Sequence, residues 1–146
     1  MSEKFFPIIP CLADTVLEEY FSKLGDLIKR KGAGMSEIKW QTDYENAVKE
    51  AAASNKSILL ELYMDGCSHC AKLHKETLVD DQVVSAINAN FVPVRIEGRG
   101  RMDLVKKFDV KGAPTTLILS PQEQEKHRFV GFQSPAEYLQ ELGKIN

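Results

Sequence analysis

Two cysteines separated by two residues have the clearest chemistry in this sequence. Cys67 and Cys70 enclose Ser68 and His69, directly after an apolar run of strand length at 57–64. A thiol at the start of a helix after that strand would lie near unpaired backbone N–H groups, which favour the thiolate. Cys70, one turn further on, would be more shielded and could close a disulfide with Cys67. The pair is therefore predicted to cycle between dithiol and disulfide.

Two histidines near the pair widen the chemistry to be considered. His69 would favour the Cys67 thiolate further if its imidazole donated a hydrogen bond or carried a proton; otherwise it is a solvated loop residue. Cys67, Cys70 and His74 stand at i, i+3 and i+7, a spacing that would place three zinc ligands on one helix face. Because a second CxxC or an HxxxH is missing, His74 is predicted to be a surface residue, and no metal site is predicted.

The composition is that of an ordinary globular chain. Of 146 residues, 43% are hydrophobic and 27% are charged, which favours one folded domain over a disordered chain. The formal net charge is -2 with both signs interspersed, so a nucleic-acid partner is not predicted. Because no apolar stretch reaches about 18 residues, stable membrane insertion is not predicted either.

The N-terminus bears on where the protein works. Residues 5–13 (FFPIIPCLA) faintly resemble the apolar part of a signal peptide, but Glu3 and two prolines argue against it. The segment is predicted to be an apolar lead-in that packs on the domain. A cytoplasmic location is predicted on that basis, with a periplasmic or exported location as the alternative.

Hydrophobic periodicity predicts an amphipathic helix over residues 14–31 that stops at Gly32. The sequence is accordingly divided into an N-terminal extension, 1–35, and a domain, 36–146. Cys11 lies in the extension and is predicted to be a buried apolar thiol, with a regulatory or intermolecular disulfide as the alternative.

Within the domain, strand-like and helix-like segments alternate. In chain order, they are predicted as a strand Ile38–Trp40, a helix Asp43–Ser54 opened by Thr42, a strand Ser57–Met64, helices Ser68–Thr77 and Asp81–Asn88, a strand Phe91–Ile96, a helix Met102–Phe108, strands Thr115–Leu119 and His127–Val130, and a helix Pro135–Leu142. This order indicates an α/β architecture with a mixed central sheet flanked by helices.

The order of these motifs resembles the thioredoxin superfamily over residues 36–146. The resemblance is carried by the strand before CxxC, by Gly112-Ala113-Pro114-Thr115 before a later strand, and by a glycine after the last strand. The stretch CSHCAKLHKETLVDDQVVSAINANFVPVRIE is more closely similar to the branch that includes the C-terminal domain of the membrane disulfide reductase. A thioredoxin fold with an N-terminal helical extension is therefore expected.

The resemblance implies a substrate-binding rim around the cysteines. Pro114 would follow a cis peptide bond and present the backbone of Ala113 to an extended substrate. Gly66 replaces the aromatic residue that precedes the first cysteine in ordinary thioredoxins, so the recognition surface is expected to differ. Phe132 could supply an apolar contact there, or it could belong to the core.

Glu61 falls at the position of the family's buried acid, which is thought to relay a proton to the second cysteine. A carboxylate inside a central strand is suited to proton transfer, although Glu in place of the more common Asp has a longer reach. Arg95 matches a family lysine near that acid. A buried ion pair with only a structural role is the alternative for Glu61 and Arg95.

The implied activity is thiol–disulfide exchange with partner proteins, most simply as a reductase. Cys67 would form the mixed disulfide and Cys70 would resolve it, assisted by Glu61 and His69. No cofactor is predicted, because the electrons travel as dithiol and disulfide. The expected partners are protein thiols or disulfides and an upstream dithiol reductase or oxidase. The alternative is an adaptor or redox-sensing module that binds a partner through the N-terminal helix.

Overall fold

The central strand of the sheet forms from the nearly continuous apolar run at residues 57–64. The structure, a computed structural model, describes residues 37–145, so the predicted extension, its helix over 14–31 and Cys11 lie outside the described residues. Residues 57–63 form a strand whose five inner residues are all buried, as expected for a strand covered on both faces.

Within residues 37–145, four strands and five α-helices alternate along the chain. They are α1 (Tyr44–Ser54), β1 (Ser57–Tyr63), α2 (Ser68–Lys72), α3 (Asp81–Asn90), β2 (Phe91–Glu97), α4 (Met102–Lys107), β3 (Thr115–Leu119), β4 (Glu125–Val130) and α5 (Pro135–Gly143). A π-helical turn, Leu73–Thr77, continues α2, and a short 3-10 helix, Gly98–Arg101, precedes α4. Among these residues, no helix is long and apolar enough to cross a membrane.

The sheet is mixed, with strand order β2-β1-β3-β4. β1 pairs with β2 in parallel and with β3 in antiparallel orientation, and β3 pairs with β4 in antiparallel orientation. The parallel β1–β2 connection runs through α2 and α3, as a crossover between parallel strands requires. The predicted fold class, a mixed sheet flanked by helices, is confirmed.

Alternate residues of β1 divide the core into two layers. Ile58, Leu60 and Leu62 pack with α1 and α4 on one face, which we call the apolar face. Leu59 packs with the π-helical turn, α3 and α5 on the other, which we call the catalytic face. Because side chains alternate across a strand, Glu61 belongs to the catalytic face.

Two local predictions at the start of the domain are wrong. The predicted strand Ile38–Trp40 does not form; instead Gln41 makes an isolated parallel bridge to Val94. The helix after it is capped by Asp43, whose carboxylate accepts a hydrogen bond from the backbone N–H of Asn46 at 3.0 Å, and not by Thr42. Asp and Thr are both good capping residues, so residue type alone did not show which of the two adjacent positions caps the helix.

Candidate active site

The loop between β1 and α2 places Cys67 at the N-terminal end of α2. Gly66 has a φ of 78°, in the left-handed region that favours glycine, and a Cβ atom added there would meet no heavy atom within 4 Å. The requirement for glycine at this position is therefore conformational and not steric. Cys67 follows as the N-cap residue of α2.

The two cysteines are free thiols with different surroundings. The backbone N–H of Cys70 donates a hydrogen bond to the Cys67 sulfur at 3.2 Å, so the thiol takes the place of a capping side chain. Cys67 is half-buried, whereas Cys70 is only 3% exposed. Burial is the largest cause that raises the pKa of Cys70 to about 11, and the proximity of Cys67 and the charge of Glu61 add to it. An accessible attacking sulfur therefore stands beside a buried thiol that keeps its proton.

A proline loop faces the accessible sulfur. The Ala113–Pro114 peptide bond is cis, and the Cys67 thiol lies 3.6 Å from the carbonyl oxygen of Ala113. The loop is tied to the sheet because the N–H of Gly131 donates to the Pro114 carbonyl at 2.8 Å. Gly131 has a φ of 88°, a conformation that again favours glycine. The residues just before β3 and just after β4 thus hold backbone groups beside the thiol.

Glu61 is a fully buried carboxylate that two basic side chains contact. The Nε2 atom of His74 lies 3.1 Å from one carboxylate oxygen and 3.2 Å from the other. The Nε atom of Arg95, on the neighbouring strand, lies 3.3 Å from Oε2, which is close enough for an ion pair but off the line of a hydrogen bond. The Arg95 guanidinium also stacks 3.9 Å above the Tyr63 ring. This acid is therefore compensated inside the core.

The structure corrects the prediction for His74. It is not a surface residue: its side chain is 22% exposed and its ring binds the buried acid. The signal that could have found it is its position one turn after Cys70, on the face that also carries the buried Leu73 and Thr77. Within residues 37–145, no group of three or more His, Cys, Asp or Glu side chains is placed to hold a metal ion.

The remaining predicted site residues differ in how close they lie to the cysteines. His69 is exposed, and within the described residues the sulfur of Cys67 is hydrogen-bonded to backbone groups and not to its imidazole. Phe132 packs against the core of the catalytic face, and the ammonium of Lys72 lies 4.3 Å above its ring. Phe132 is thus both a core residue and a neighbour of the catalytic helix.

The fold and the paired thiols define a class of protein, the thioredoxin-fold oxidoreductases. A family model described as a thioredoxin-like domain matches residues 44–146. Among curated proteins, the chain is 28% identical over 117 residues to a thiol:disulfide interchange protein DsbD of Ralstonia nicotianae, and 34% identical over 97 residues to one of Yersinia pestis. These alignments cover 77% and 63% of this chain but only 19% and 16% of the relatives, so the chain spans less than a fifth of their length.

Solved structures share the fold at low sequence identity. A thioredoxin from Thermus thermophilus superposes with a TM-score of 0.68 at 24% identity, covering 75% of this chain and 88% of that one. The reduced C-terminal domain of DsbD from Neisseria meningitidis gives a TM-score of 0.62 at 18% identity, covering 70% and 93%. The chain belongs to the thioredoxin-like family of thiol–disulfide oxidoreductases.

Proposed function

We propose that this chain reduces disulfides in partner proteins through Cys67 and Cys70. The observation that carries the proposal is the juxtaposition of an accessible Cys67 sulfur, a buried Cys70 thiol and the Ala113 carbonyl 3.6 Å from that sulfur. Ala113 and Pro114 would position an extended segment of the partner, as a strand added at a backbone edge. Gly66 and Phe132 would line the same rim.

The reaction is a pair of thiol–disulfide exchanges. The Cys67 thiolate attacks one sulfur of the partner disulfide, and the other partner sulfur leaves as a thiolate. Cys70 then gives up its proton and attacks Cys67, the bond to the partner breaks, and the partner leaves as a dithiol. Two electrons have passed to the partner, and Cys67 and Cys70 are joined. Glu61 is proposed to accept the Cys70 proton; no cofactor is needed.

The contacts of Cys67 support the reducing direction. A strongly oxidising disulfide requires a reduced form that is specially stabilised. Here the hydrogen-bond contacts of the sulfur within the described residues are one backbone N–H donor and one carbonyl oxygen, and the exposed His69 contributes no hydrogen bond to it. The dithiol therefore has little extra stabilisation, which favours oxidation of the chain and reduction of its partner.

The cycle requires an upstream dithiol that restores the reduced pair. The matches to disulfide interchange proteins do not support the predicted cytoplasmic location. The proposed reaction demands only that the upstream dithiol and the partner disulfide reach the same face of the domain around Cys67.

The test is the redox equilibrium of the pair in graded thiol buffers, read by alkylation and mass. Cys11→Ser keeps the third thiol out of the measurement, and Cys67→Ser is the control that cannot form the disulfide. A potential near that of thioredoxin, about -270 mV, is expected for a reductase. A value near about -120 mV would reverse the direction, and failure to form any Cys67–Cys70 disulfide would overturn the proposed function.

A further inference from the structure

The π-helical turn that follows α2 brings a histidine onto the buried acid. Leu78 donates its N–H to the carbonyl of Leu73 at 3.0 Å, the wide spacing of a π turn. The turn is anchored at its far end because the Thr77 hydroxyl donates to the carbonyl of Gln133 at 2.5 Å. His74 lies inside this turn, and such turns occur frequently at functional sites.

Several charged or titratable groups surround the His74–Glu61 pair. Glu61 comes from β1, Arg95 from β2, and Cys70 from the helix that carries His74 itself. The pKa of the Tyr138 hydroxyl, on α5, is raised mainly by burial and additionally by the charge of Glu61. The Trp40 ring lies 6.5 Å from the imidazole and carries no charge.

Only one partner of the buried acid can exchange a proton with it. An arginine side chain does not lose its proton in proteins, so Arg95 can compensate the charge of Glu61 but cannot accept a proton from it. Among the described residues, His74 is the group that is hydrogen-bonded to the Glu61 carboxylate and has a ring nitrogen that can accept a proton. Its side chain is 22% exposed while that of Glu61 is 0% exposed, so the imidazole connects the buried carboxylate with solvent.

We propose that His74 is a positioning residue that holds the Glu61 carboxylate and passes its proton to solvent while Cys70 resolves the mixed disulfide. This inference rests on the proposed function. Glu61 takes the proton of the Cys70 thiol, and the Cys70 thiolate forms the bond to Cys67 as the Cys67–partner bond breaks. Neutral His74, as the tautomer with its proton on Nδ1, then accepts the Glu61 proton at Nε2 and releases the Nδ1 proton to water, which restores the carboxylate.

The test follows the resolving step in the full chain carrying Cys11→Ser. One equivalent of Ellman's reagent forms a mixed disulfide with Cys67, and attack by Cys70 releases the second thionitrobenzoate, which absorbs visible light. The rate of this second phase is measured between about pH 5 and pH 8, where imidazoles change charge. In the unaltered site, the rate should rise across this window and then level off, because protonated His74 cannot accept a proton from Glu61.

His74→Gln keeps a side-chain amide that can donate to Glu61 but cannot titrate. It is expected to slow the second phase by about tenfold at neutral pH, less than the 100-fold typical of a direct general base. The histidine-dependent rise and plateau should disappear from its pH profile. The first phase, in which Cys67 attacks the reagent, should keep its rate.

The matched control is His127→Gln. His127 is also a partly buried histidine on a glutamate, 2.5 Å from Glu141 with side chains 25% and 19% exposed. It pairs with Ile118, three residues further along β3 than Thr115, which adjoins the proline loop. It should retain the full pH profile. Thermal melting of both variants shows how much stability each pair contributes.

Two results would overturn the role of His74. One is a His74→Gln profile of unchanged shape, whether or not the variant melts earlier, because that describes a structural pair. The other is an equal change of profile in His127→Gln. If the protein with His74 unaltered shows no second phase at all, Cys67 and Cys70 do not form a disulfide and the proposed function fails. The measurement of the redox potential will show the same failure independently.

Discussion

The two faces of the central sheet are built from the same strands but differ in chemistry. On the apolar face, β1, β2 and β3 contribute aliphatic side chains apart from Thr115, and α1 and α4 cover them. On the catalytic face, one cross-strand row holds Arg95, Glu61 and Thr116 in register, beneath the helices that include the catalytic α2. The row is polar, whereas most of the buried residues around it are apolar.

The comparison shows that the apolar face stabilises the domain, whereas the catalytic face both stabilises it and contains the candidate site. Burying a charge is costly unless it is paired and hydrogen-bonded. Glu61 is compensated by two basic groups and lies on the face that also buries Cys70. The core of the apolar face, in contrast, contains no buried acid, histidine or cysteine among the described residues.

Leu60→Ala tests the stabilising role of the apolar face. Leu60 is 0% exposed, and truncating a buried leucine leaves a cavity that costs about 2–5 kcal/mol of unfolding free energy. Urea unfolding of the reduced protein measures that loss, while the Cys67–Cys70 potential should not change. Leu59→Ala, equally buried on the catalytic face, is the matched variant and should lose a similar amount. A shifted potential in Leu60→Ala alone would contradict the division between the faces.

Glu61→Gln tests the catalytic face with a smaller expected cost in stability. The amide keeps the shape of the side chain but removes the proton acceptor, so the resolving step should slow by about 100-fold. Because the negative charge of Glu61 helps to raise the pKa of Cys70, its removal should lower that pKa from about 11. Thiolate absorbance as a function of pH measures the shift in the Cys11→Ser background.

The control for this substitution is Glu141→Gln, which removes the carboxylate that contacts the partly buried His127. It should change neither the resolving rate nor the titration of Cys70. If Glu61→Gln destabilised the protein as much as Leu60→Ala and left the resolving rate unchanged, the acid would be only structural, as the ion-pair alternative holds.

Gly66→Ala is expected to have the smallest effect. It tests the loop between β1 and α2, which leads to Cys67. Its positive φ should make the substitution cost about 1 kcal/mol, measured by urea unfolding. Gly66→Asn should recover part of this loss, since asparagine tolerates the left-handed region. Because a side chain there meets nothing within 4 Å, equal losses for Ala and Asn would show that conformation is not the cause.

Strong local patterns allowed much of the fold to be predicted from the sequence. The apolar run of β1 and the CxxC spacing located the strand, the helix start and the two thiols, because burial and helix geometry act within a few residues. The resemblance to a family located Glu61 and Pro114. The expected Ile38–Trp40 strand did not form, since a strand depends on a partner far away in the chain.

The role of His74 was beyond local patterns. Its sequence neighbours Lys72 and Lys75 favoured an exposed helix position. The contact with Glu61 depends on a π-helical turn and on a strand 13 residues away. Periodicity can place His74 one turn after Cys70, but it does not show which group on another element the side chain contacts.

The outer strand β4 has a consequence for how the protein behaves at high concentration. It lies at one end of the four-stranded order, where open backbone groups could pair with a strand of another molecule. Four successive polar side chains, Glu125 to Arg128, occupy it, and Arg128 is held by Glu125 and by the carbonyl of Phe108 at 2.7 Å. A strand lined in this way resists edge-to-edge aggregation, so the domain can expose a substrate-binding rim without inviting other molecules to extend its sheet.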